Sequence, residues 1–397
     1  MDLLENTIQP YAWGSRTAIA ELQGEPVPSP GPQAELWMGA HPLAPSRIVR
    51  GGVRAPLPEV LARAPQAELG ARSVAEHGPH LPFLLKVLAA EQPLSLQAHP
   101  DEQQARDGFD REDAAGVPRD APQRNYRDFW PKPELMCALS PFEALCGFRP
   151  AAEALALVDA LGAPALAPVR ERLARRQDAA GLRDAFTHLS TLPAAERGPL
   201  VDAVVAAAAR AGPGPFASAF AWTGRLAALY PGDPGVAVAL LLRLVRLDPG
   251  EALFLPAGNM HAYLHGVGVE IMASSDNVLR GGLTGKHVDV PELLRVVRFD
   301  GAPVPLVLPR RARSGEEVYE TPAREFELSR LELSGDGPEL AVSGPEILLC
   351  TAGEVEAAAP PERLALRRGA SAFVPAATGR YRLRGSGTVF RAALPRR

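Results

Sequence analysis

Short apolar runs separated by proline- and glycine-containing turns fill residues 1 to about 148. The runs at residues 82–88, 94–99 and 134–139 predict β-strands. Residues 101–111 predict a short helix instead, because Asp101 can cap its N-terminus and charged residues follow. The first part of the chain is therefore predicted to be mainly β.

The pattern changes after Pro150 and stays changed for about a hundred residues. Residues 151 to about 247 are rich in Ala, Leu and Arg, and apolar positions recur at helical spacing in residues 153–158 and 201–210. The single histidine of this stretch, His188, is expected at the surface or in packing. Alternation typical of a strand returns at residues 251–258.

The sequence pattern changes again near residue 310. Short alternating runs with Gly- and Pro-containing turns and almost no helical spacing predict a sandwich or jelly roll; the runs are residues 326–333, 346–350, 371–375, 381–383 and 389–392. This tail contains no histidine.

The chain is therefore predicted to be mainly β with a helical insertion. We expect a β-domain made of residues 1–148 plus 249–310, an α-helical insertion of residues 149–248, and a C-terminal jelly-roll-like β-domain of residues 311–397.

Composition narrows the class of protein. The chain has 397 residues, 46% of them hydrophobic and 22% charged, with a net charge of −4, so it offers no basic surface for nucleic acid or anionic membrane. Its three cysteines lack C-x-x-C spacing and are expected as buried thiols in a reducing compartment. We find no signal-peptide pattern at the N-terminus and no apolar run long enough to span a bilayer, and we expect a cytoplasmic protein.

Side chains that commonly bind metal ions occur at spacings that strands can use. Gln97 and His99 lie two residues apart, and side chains two apart on a strand share a face. Glu134 and His261 would complete a set of two imidazoles, one carboxylate and one amide oxygen. Borderline cations such as zinc accept N and O ligands of this kind, and catalytic sites leave a position for water or substrate.

The use of lysine supports the same segments. The chain has only three lysines among its 42 basic residues, and each lies in or beside a segment with candidate chemistry. Lys86 precedes the Gln97/His99 strand, Lys132 comes two residues before Glu134, and Lys286 follows Arg280. An ammonium differs from a guanidinium because it is compact and can lose its proton.

Several segments, in this order, resemble the type I phosphomannose isomerases, which are zinc enzymes of the cupin superfamily. The similarity extends to about residue 295, and its main segments are residues 9–14, 35–42, 93–100, 132–134, 258–263, 276–280 and 282–284. Several long motifs in one order are far more specific than a single short pattern.

This resemblance implies a cupin-type jelly roll for the catalytic domain and one zinc ion per chain. The implied ligands are Gln97, His99, Glu134 and His261, with Arg280 as the active-site arginine. It also implies an aldose–ketose isomerase that interconverts mannose 6-phosphate and fructose 6-phosphate in mannose and GDP-mannose precursor metabolism. The expected partner is a small sugar phosphate, and we expect a monomer.

The residues present suit this implied reaction, which moves a proton between C1 and C2 of the sugar through an enediol(ate). Arg280 could stabilise the enediolate or hold a phosphate, and Lys132 could move a proton during ring opening. Either Asp276 or Glu270 could be the base that acts on carbon. Glu270 is grouped with Arg280 and Lys132 as a candidate catalytic residue. Expected substrate contacts are Lys86, Trp13, Tyr263, Asp276 and Lys286.

The phosphate would be held by side chains, because the chain lacks a Gly-x-x-x-x-Gly-Lys loop. Arg280 and Lys286 flank the Gly281-Gly282 pair and are the expected contacts.

Two positions depart from the family pattern. Glu102 replaces a frequent lysine, at a position expected on a solvent-facing helix, and Pro131 replaces a frequent histidine before Lys132. Any role of that histidine in other members cannot apply to this chain.

Two alternatives remain on the same fold. Two histidines and a carboxylate also suit an Fe(II) oxygenase, although Arg280 and Lys286 would then have no purpose. A non-catalytic sugar-phosphate sensor would be expected to lack part of the ligand set or the arginine, and neither is missing here.

Overall fold

The computed structural model of the chain describes residues 1–303 and 306–396. Strands dominate both ends of the described chain, and most of its helical residues lie between residues 151 and 241. The predicted arrangement, mainly β with a helical region in the middle, is confirmed.

The strands are β1 (Asp2–Leu3), β2 (Thr7–Gln9), β3 (Glu35–Met38), β4 (Arg47–Arg50), β5 (Val53–Pro56), β6 (Phe83–Ala90), β7 (Leu96–Ala98), β8 (Glu134–Ala138), β9 (Phe142–Phe148), β10 (Leu242–Leu247), β11 (Ala252–Leu255), β12 (His261–Ala273), β13 (Leu279–Gly282), β14 (Leu306–Val307), β15 (Arg310–Arg311), β16 (Glu317–Tyr319), β17 (Glu327–Ala341), β18 (Glu346–Ala359), β19 (Glu362–Arg367), β20 (Ser371–Val374) and β21 (Arg380–Ala393).

The α-helices are α1 (Ala18–Gln23), α2 (Leu57–Arg63), α3 (Pro65–Leu69), α4 (Ala71–His77), α5 (Glu102–Ala114), α6 (Ala151–Leu161), α7 (Ala167–Arg175), α8 (Ala179–Ser190), α9 (Ala194–Arg210), α10 (Ala217–Leu229), α11 (Gly235–Val238) and α12 (Val290–Val296). Short 3-10 turns occur at Pro164–Leu166, Ala239–Leu241 and Ala376–Thr378.

The long strand β12 organises the first β region because it belongs to two layers at once. Its first residues pair with β7 and β9, and its later residues pair with β6 and β8. The change of partners occurs at Gly266, which has a φ of +123°. A Cβ atom there would come within 2.7 Å of the Phe142 ring, so glycine permits both the backbone conformation and the close approach.

Around β12 the two layers are completed by strands from distant parts of the chain. One layer has the order β14-β11-β8-β12-β6-β3-β2, and the other contains β10, β9, β12, β7 and β13. Strand β7 lies between β12 and β13, so the predicted Gln97 strand is held from both sides. The predicted helix after it is also confirmed: the Asp101 carboxylate accepts a hydrogen bond from the Gln104 N–H at 2.8 Å.

The helical region packs against the layer that contains β7 and β13. Its largest apolar cluster joins helix residues such as Leu157 and Phe186 to Leu96, Met260 and Leu279 from the strands. A second cluster runs from the first β region into the C-terminal sheet. Both faces of the first β region are therefore supported from outside, while polar groups occupy part of its interior.

The C-terminal sheet has the strand order β1-β20-β18-β21-β17-β16-β15. Asp2 and Leu3, which we assigned to the first domain, pair with Phe373 and Ala372 of this sheet. The tail runs predicted separately at residues 381–383 and 389–392 form one continuous strand, β21. The division of the chain into three domains stays a prediction.

Helices α2, α3 and α4 were not predicted, because each has only five to seven residues and they follow one another at Ala64 and Gly70. Within the described residues, no helix combines the length and the apolar character needed to cross a membrane.

Candidate metal centre and active site

Three side chains from three strands or strand ends converge inside the first β region. His99 follows β7, Glu134 begins β8 and His261 begins β12, and their exposed fractions are 2%, 2% and 1%. His99 Nε2 lies 3.3 Å from Glu134 Oε1, and His261 Nε2 lies 3.4 Å from Glu134 Oε2. We call these three residues the metal cluster.

Backbone carbonyl groups fix the orientation of both imidazoles. His99 Nδ1 lies 2.7 Å from the carbonyl oxygen of Asn277, and His261 Nδ1 lies 3.1 Å from that of Asn259. A carbonyl oxygen can only accept, so in each ring Nδ1 carries the proton and Nε2 presents its lone pair to the cluster. Both rings are therefore held in the tautomer that a metal ligand needs.

The protonation states of the metal cluster also suit a cation. Burial, only partly offset by the Glu134 carboxylate, lowers the pKa of His99 to about 4, so its ring is neutral at pH 7. Burial alone would raise the pKa of Glu134, but His99 and Lys132 hold that pKa well below its usual value. Neutral imidazoles and an ionised carboxylate are the forms that bind divalent cations.

The strongest sign of a ligand site is that the converging atoms are left without partners. His99 Nε2, His261 Nε2 and Glu134 Oε2 are buried and make no hydrogen bond to the described residues. Such atoms carry a desolvation cost unless something binds them. Three ligand atoms within 4.8 Å of one another fit a single divalent metal ion.

Gln97 extends this set along the sheet. It is the register partner of His261 on one side and of Arg280 on the other. Directly opposed residues on neighbouring strands present their side chains on the same face. The predicted fourth ligand and the predicted active-site arginine therefore lie in one row with His261.

Lys132 lies beside the metal cluster, with its Nζ atom 3.4 Å from Glu134 Oε1. Lys132 is 9% exposed and lies two residues before Glu134, the first residue of β8. An ammonium in this place lies within proton-transfer reach of a molecule bound at the cluster.

A second buried charged group, Lys86 with Glu270 and Glu35, lies in the same interior. Lys86 Nζ is 3.0 Å from Glu270 Oε2 and 3.6 Å from Glu35 Oε2, and all three side chains are buried. Burial alone would lower the pKa of Lys86, but the charges of Glu270, Glu35 and Glu134 raise it above its usual range. Burial raises the pKa of Glu270, partly offset by Lys86. Lys86 is therefore held in its charged form.

Asp276 lies at a more exposed position, with 36% of its side chain accessible. Its Oδ1 atom is 3.2 Å from His41 Nε2, and the His41 ring packs edge-on against Trp37 at 4.7 Å. Burial would raise the pKa of Asp276, but His41, Lys132 and Arg127 lower it, so the carboxylate is ionised. Asp276 and Glu270, the two candidate carbon bases, thus sit in very different environments.

Three cations, Arg127, Arg280 and Lys286, lie close enough for their charges to act on one another. Burial and the charge of Arg127 lower the pKa of Arg280, and burial together with Arg280 and Arg127 lowers that of Lys286. None of the three forms an ion pair within the described part of the chain. Like charges that lie together without an ion-pair partner are typical of a site for an anion.

The two aromatic residues expected at the substrate occupy different depths. Trp13 is partly buried and stacks on Tyr11 with ring centroids 5.7 Å apart. Tyr263 is only 1% exposed and packs edge-on against Phe142 at 5.3 Å. Trp13 is thus placed nearer the surface than Tyr263, which belongs to the interior behind His261.

Sequence analysis missed three residues of this region. Glu35 is two residues from Trp37 on β3, and its role could have been suspected from that strand spacing. Asn277 lies in the family-like segment 276–280 but was given no role there, whereas Arg127 lies in none of these segments, and only the folded chain brings it near Arg280. Of the other histidines near these segments, His41 contacts Asp276, whereas His265 and His287 are exposed.

Comparison with known proteins gives a consistent result. Residues 1–151 match the family profile for the catalytic domain of phosphomannose isomerase type I. The mannose-6-phosphate isomerase of Escherichia coli (strain K12) is 38% identical over 98% of this chain and 99% of its own length. A mutant phosphomannose isomerase from Salmonella typhimurium superimposes with a TM-score of 0.92 at 38% identity, covering 99% of each chain.

A zinc-bound crystal structure of mannose 6-phosphate isomerase superimposes equally well. Its TM-score is 0.91 at 37% identity, and the match covers 100% of this chain and 99% of that one. The similarity therefore spans the helical region and both β regions, well beyond the motifs around the metal cluster.

Proposed function

The chain belongs to the type I phosphomannose isomerase family, and we propose that the metal cluster is its catalytic centre. The protein is an aldose–ketose isomerase that interconverts mannose 6-phosphate and fructose 6-phosphate, and its cofactor is zinc. The single observation that carries the placement is the convergence of three buried ligand atoms that lack hydrogen-bond partners.

His99, Glu134 and His261 would hold the zinc ion, with Gln97 as the fourth ligand. The register of Gln97 between His261 and Arg280 supports that assignment. Zinc, when bound, supplies a Lewis acid that stabilises negative charge on the oxygens of the sugar.

Lys132 is proposed to move the proton of ring opening. Its ammonium is 3.4 Å from Glu134 Oε1, so it lies at the edge of the metal cluster with a hydrogen to donate toward the substrate. Arg280, in the same row as Gln97 and His261, is proposed to donate hydrogen bonds to the oxygens that carry charge in the enediolate.

Two carboxylates compete for the role of base on carbon. Glu270 has the raised pKa that favours a stronger base, but it is paired with Lys86 at 3.0 Å. Asp276 is more accessible and ionised. We propose Glu270, with Lys86 held charged beside it to donate a hydrogen bond to a sugar oxygen. Solvent deuterium exchange at C2 in Glu270→Gln and Asp276→Asn separates the two, because loss of the base stops exchange itself.

The phosphate of the substrate is proposed to bind Arg280, Lys286 and Arg127. These three cations form no ion pair with a carboxylate of the described residues, and the charge of Arg127 lowers the pKa of both Arg280 and Lys286. Arg127, whose charge also acts on Asp276, and Lys286 are exposed, which would place the phosphate at the more exposed side of the site. Trp13 is proposed as a wall of the same pocket, whereas the full burial of Tyr263 supports a role in holding His261 in place.

The oxygenase and sensor alternatives are not favoured. An Fe(II) oxygenase would leave the three unpaired cations without a purpose, and a sensor would not need the ligand set to be complete. The experiment is a coupled assay for fructose 6-phosphate formed from mannose 6-phosphate, run with and without oxygen. Turnover that is independent of oxygen supports the isomerase, and product formation only with oxygen contradicts it.

The substrate is a small sugar phosphate, and the finer expectations are that the chain acts as a monomer and in the cytoplasm. Light scattering coupled to size-exclusion chromatography tests the first of these expectations.

A further inference from the structure

Asn277 is completely buried and its side chain satisfies four backbone groups of one short segment. Its Oδ1 atom accepts hydrogen bonds from the N–H groups of Arg127 at 2.7 Å and Asp128 at 3.1 Å. Its Nδ2 atom donates to the carbonyl oxygens of Asp128 at 2.8 Å and Trp130 at 2.9 Å. One amide thus uses its full hydrogen-bonding capacity to hold residues 127–130.

The backbone of the same residue holds a proposed metal ligand. The Asn277 carbonyl oxygen accepts the hydrogen bond of His99 Nδ1 at 2.7 Å, which sets both the tautomer and the orientation of that ring. Asn277 therefore joins segment 127–130 to His99, because its side chain bonds the segment and its backbone carbonyl bonds His99.

Asp128 strengthens this connection from the opposite side. Its Oδ1 atom accepts from the Ser275 hydroxyl at 2.8 Å and from the Trp130 N–H at 3.0 Å, and its Oδ2 atom accepts from the Asp276 N–H at 2.8 Å. Segments 127–130 and 275–277 are thus bonded to each other in both directions. We call Asp128, Ser275 and Asn277 the latch.

The two imidazoles of the metal cluster differ in how they are held. The carbonyl group that orients His261 belongs to Asn259, two residues away in the same turn. The carbonyl group that orients His99 lies 178 residues away in the chain. The orientation of His261 is therefore local, whereas that of His99 depends on the latch.

Along the chain, the two segments of the latch connect to both the metal cluster and the proposed phosphate contacts. Segment 127–130 begins with Arg127 and leads to Lys132 and Glu134, and segment 275–277 leads to Arg280. A displacement of either segment would move a metal ligand and an anion contact together.

We propose that Asn277 is a positioning residue that sets the orientation of His99, and thereby the affinity for zinc, by holding residues 127–130 against residues 275–277. The proposal rests on the metal centre of the proposed function. Removal of a group that orients a metal ligand commonly weakens metal binding by about 10- to 100-fold.

The test is the zinc dissociation constant of Asn277→Ala, measured by competition with a chromophoric chelator. We expect it to rise by about 10- to 100-fold. The control is Asn125→Ala, which removes another buried asparagine whose Nδ2 atom bonds only Asp289, at 2.9 Å. That control should keep zinc affinity within about threefold of wild type, well below the effect of losing a group that orients a ligand.

A second readout separates positioning from a general loss of stability. The visible absorption spectrum of the cobalt-loaded protein reports ligand geometry, and it should change in Asn277→Ala but not in Asn125→Ala. Should Asn277→Ala fail to fold, Ser275→Ala removes the latch hydroxyl, which donates to Asp128 Oδ1 at 2.8 Å and Trp130 O at 3.2 Å and accepts from the Asn277 N–H at 3.3 Å. It leaves the Asn277 side chain in place and should give a smaller change in the same direction.

Two outcomes overturn the proposal. The first is a wild-type zinc affinity and cobalt spectrum in folded Asn277→Ala, or in Ser275→Ala if Asn277→Ala does not fold. The second is a loss of zinc affinity in Asn125→Ala equal to that in Asn277→Ala. Wild-type protein that binds no zinc would instead contradict the metal centre itself.

Discussion

Each of the two β regions of the molecule buries a charged cluster, and the two clusters differ in whether their polar atoms have hydrogen-bond partners. In the C-terminal sheet Arg391, 1% exposed, donates to Glu346 Oε2 at 2.7 Å and to Glu316 Oε1 at 3.0 Å. Tyr381 adds a hydrogen bond to Glu346 at 2.9 Å, and Ser329 adds one to Glu316 at 3.1 Å. We call Arg391, Glu316 and Glu346 the arginine cluster.

The metal cluster is equally buried but leaves three ligand atoms without hydrogen bonds to the described residues. Burial of charge therefore does not distinguish a functional site from a structural one in this protein. The two clusters differ instead in whether their polar atoms have hydrogen-bond partners. The carboxylates of the arginine cluster already have partners, whereas the metal cluster is arranged for a partner that the polypeptide does not supply. This contrast predicts that substitutions in the two clusters will have different consequences.

The largest expected effect is on turnover, from His261→Ala. Loss of a ligand removes charge stabilisation worth several kcal/mol, which at about 1.4 kcal/mol per decade lowers kcat/KM by about three decades or more. Bound zinc, measured by elemental analysis, should fall in parallel while the fold is retained. The control is His265→Ala, an exposed histidine on the same strand, which should keep both.

The next effect is on stability, from Arg391→Met. This change leaves Glu346 buried without its cation and leaves Glu316 with Arg396 alone, at 2.6 Å, which should lower the free energy of unfolding by about 3–5 kcal/mol. Urea unfolding measures the loss. Arg382→Met on the same strand, where the guanidinium is 43% exposed, should cost less than about 1 kcal/mol. Loss of zinc from folded Arg391→Met would show that the two clusters are not independent.

Lys132→Arg tests whether proton transfer accompanies the charge beside the metal cluster. Arginine keeps the positive charge but does not exchange a proton near neutral pH, so kcat should fall by about a hundredfold or more with little change in substrate binding. Steady-state kinetics with mannose 6-phosphate provides the measurement. A wild-type kcat would reduce Lys132 to an electrostatic role.

The smallest of these effects concerns the unpaired cations. One charge-assisted hydrogen bond to phosphate is worth about 1.5–3 kcal/mol, so Lys286→Ala should reduce the preference for mannose 6-phosphate over mannose by about one to two decades. The measurement is the ratio of the two kcat/KM values. Arg175→Ala in the helical region, with a side chain 70% exposed, is the control. An unchanged ratio in Lys286→Ala would remove this residue from the phosphate site.

The spacing of apolar residues and the capping residues predicted those strands and helices that neighbouring residues determine. The strand at residues 82–88 and the helix capped by Asp101 were predicted because alternation and capping are written in adjacent residues. Strand β21 was predicted as two pieces, because Gly385 and Gly387 in its middle resemble turn signals.

The candidate site was predictable only as far as its motifs extend. The three members of the metal cluster, and Lys132 beside it, were proposed from strand spacing and family resemblance before their distances were known. Arg391, Glu316 and Glu346 have no such signal, because their contacts join residues 45 and 75 positions apart. Asn277 lies in a family-like segment, but its role was not predicted, because its hydrogen bonds run to residues 150 and 149 positions away.

The central claim, that the unsatisfied cluster is a zinc site on which turnover depends, is tested most directly by removing the metal. Protein stripped with a chelator and verified as zinc-free by elemental analysis should lose at least about 99% of its isomerase activity, and one equivalent of zinc per chain should restore it. Full activity in verified metal-free protein would contradict the account.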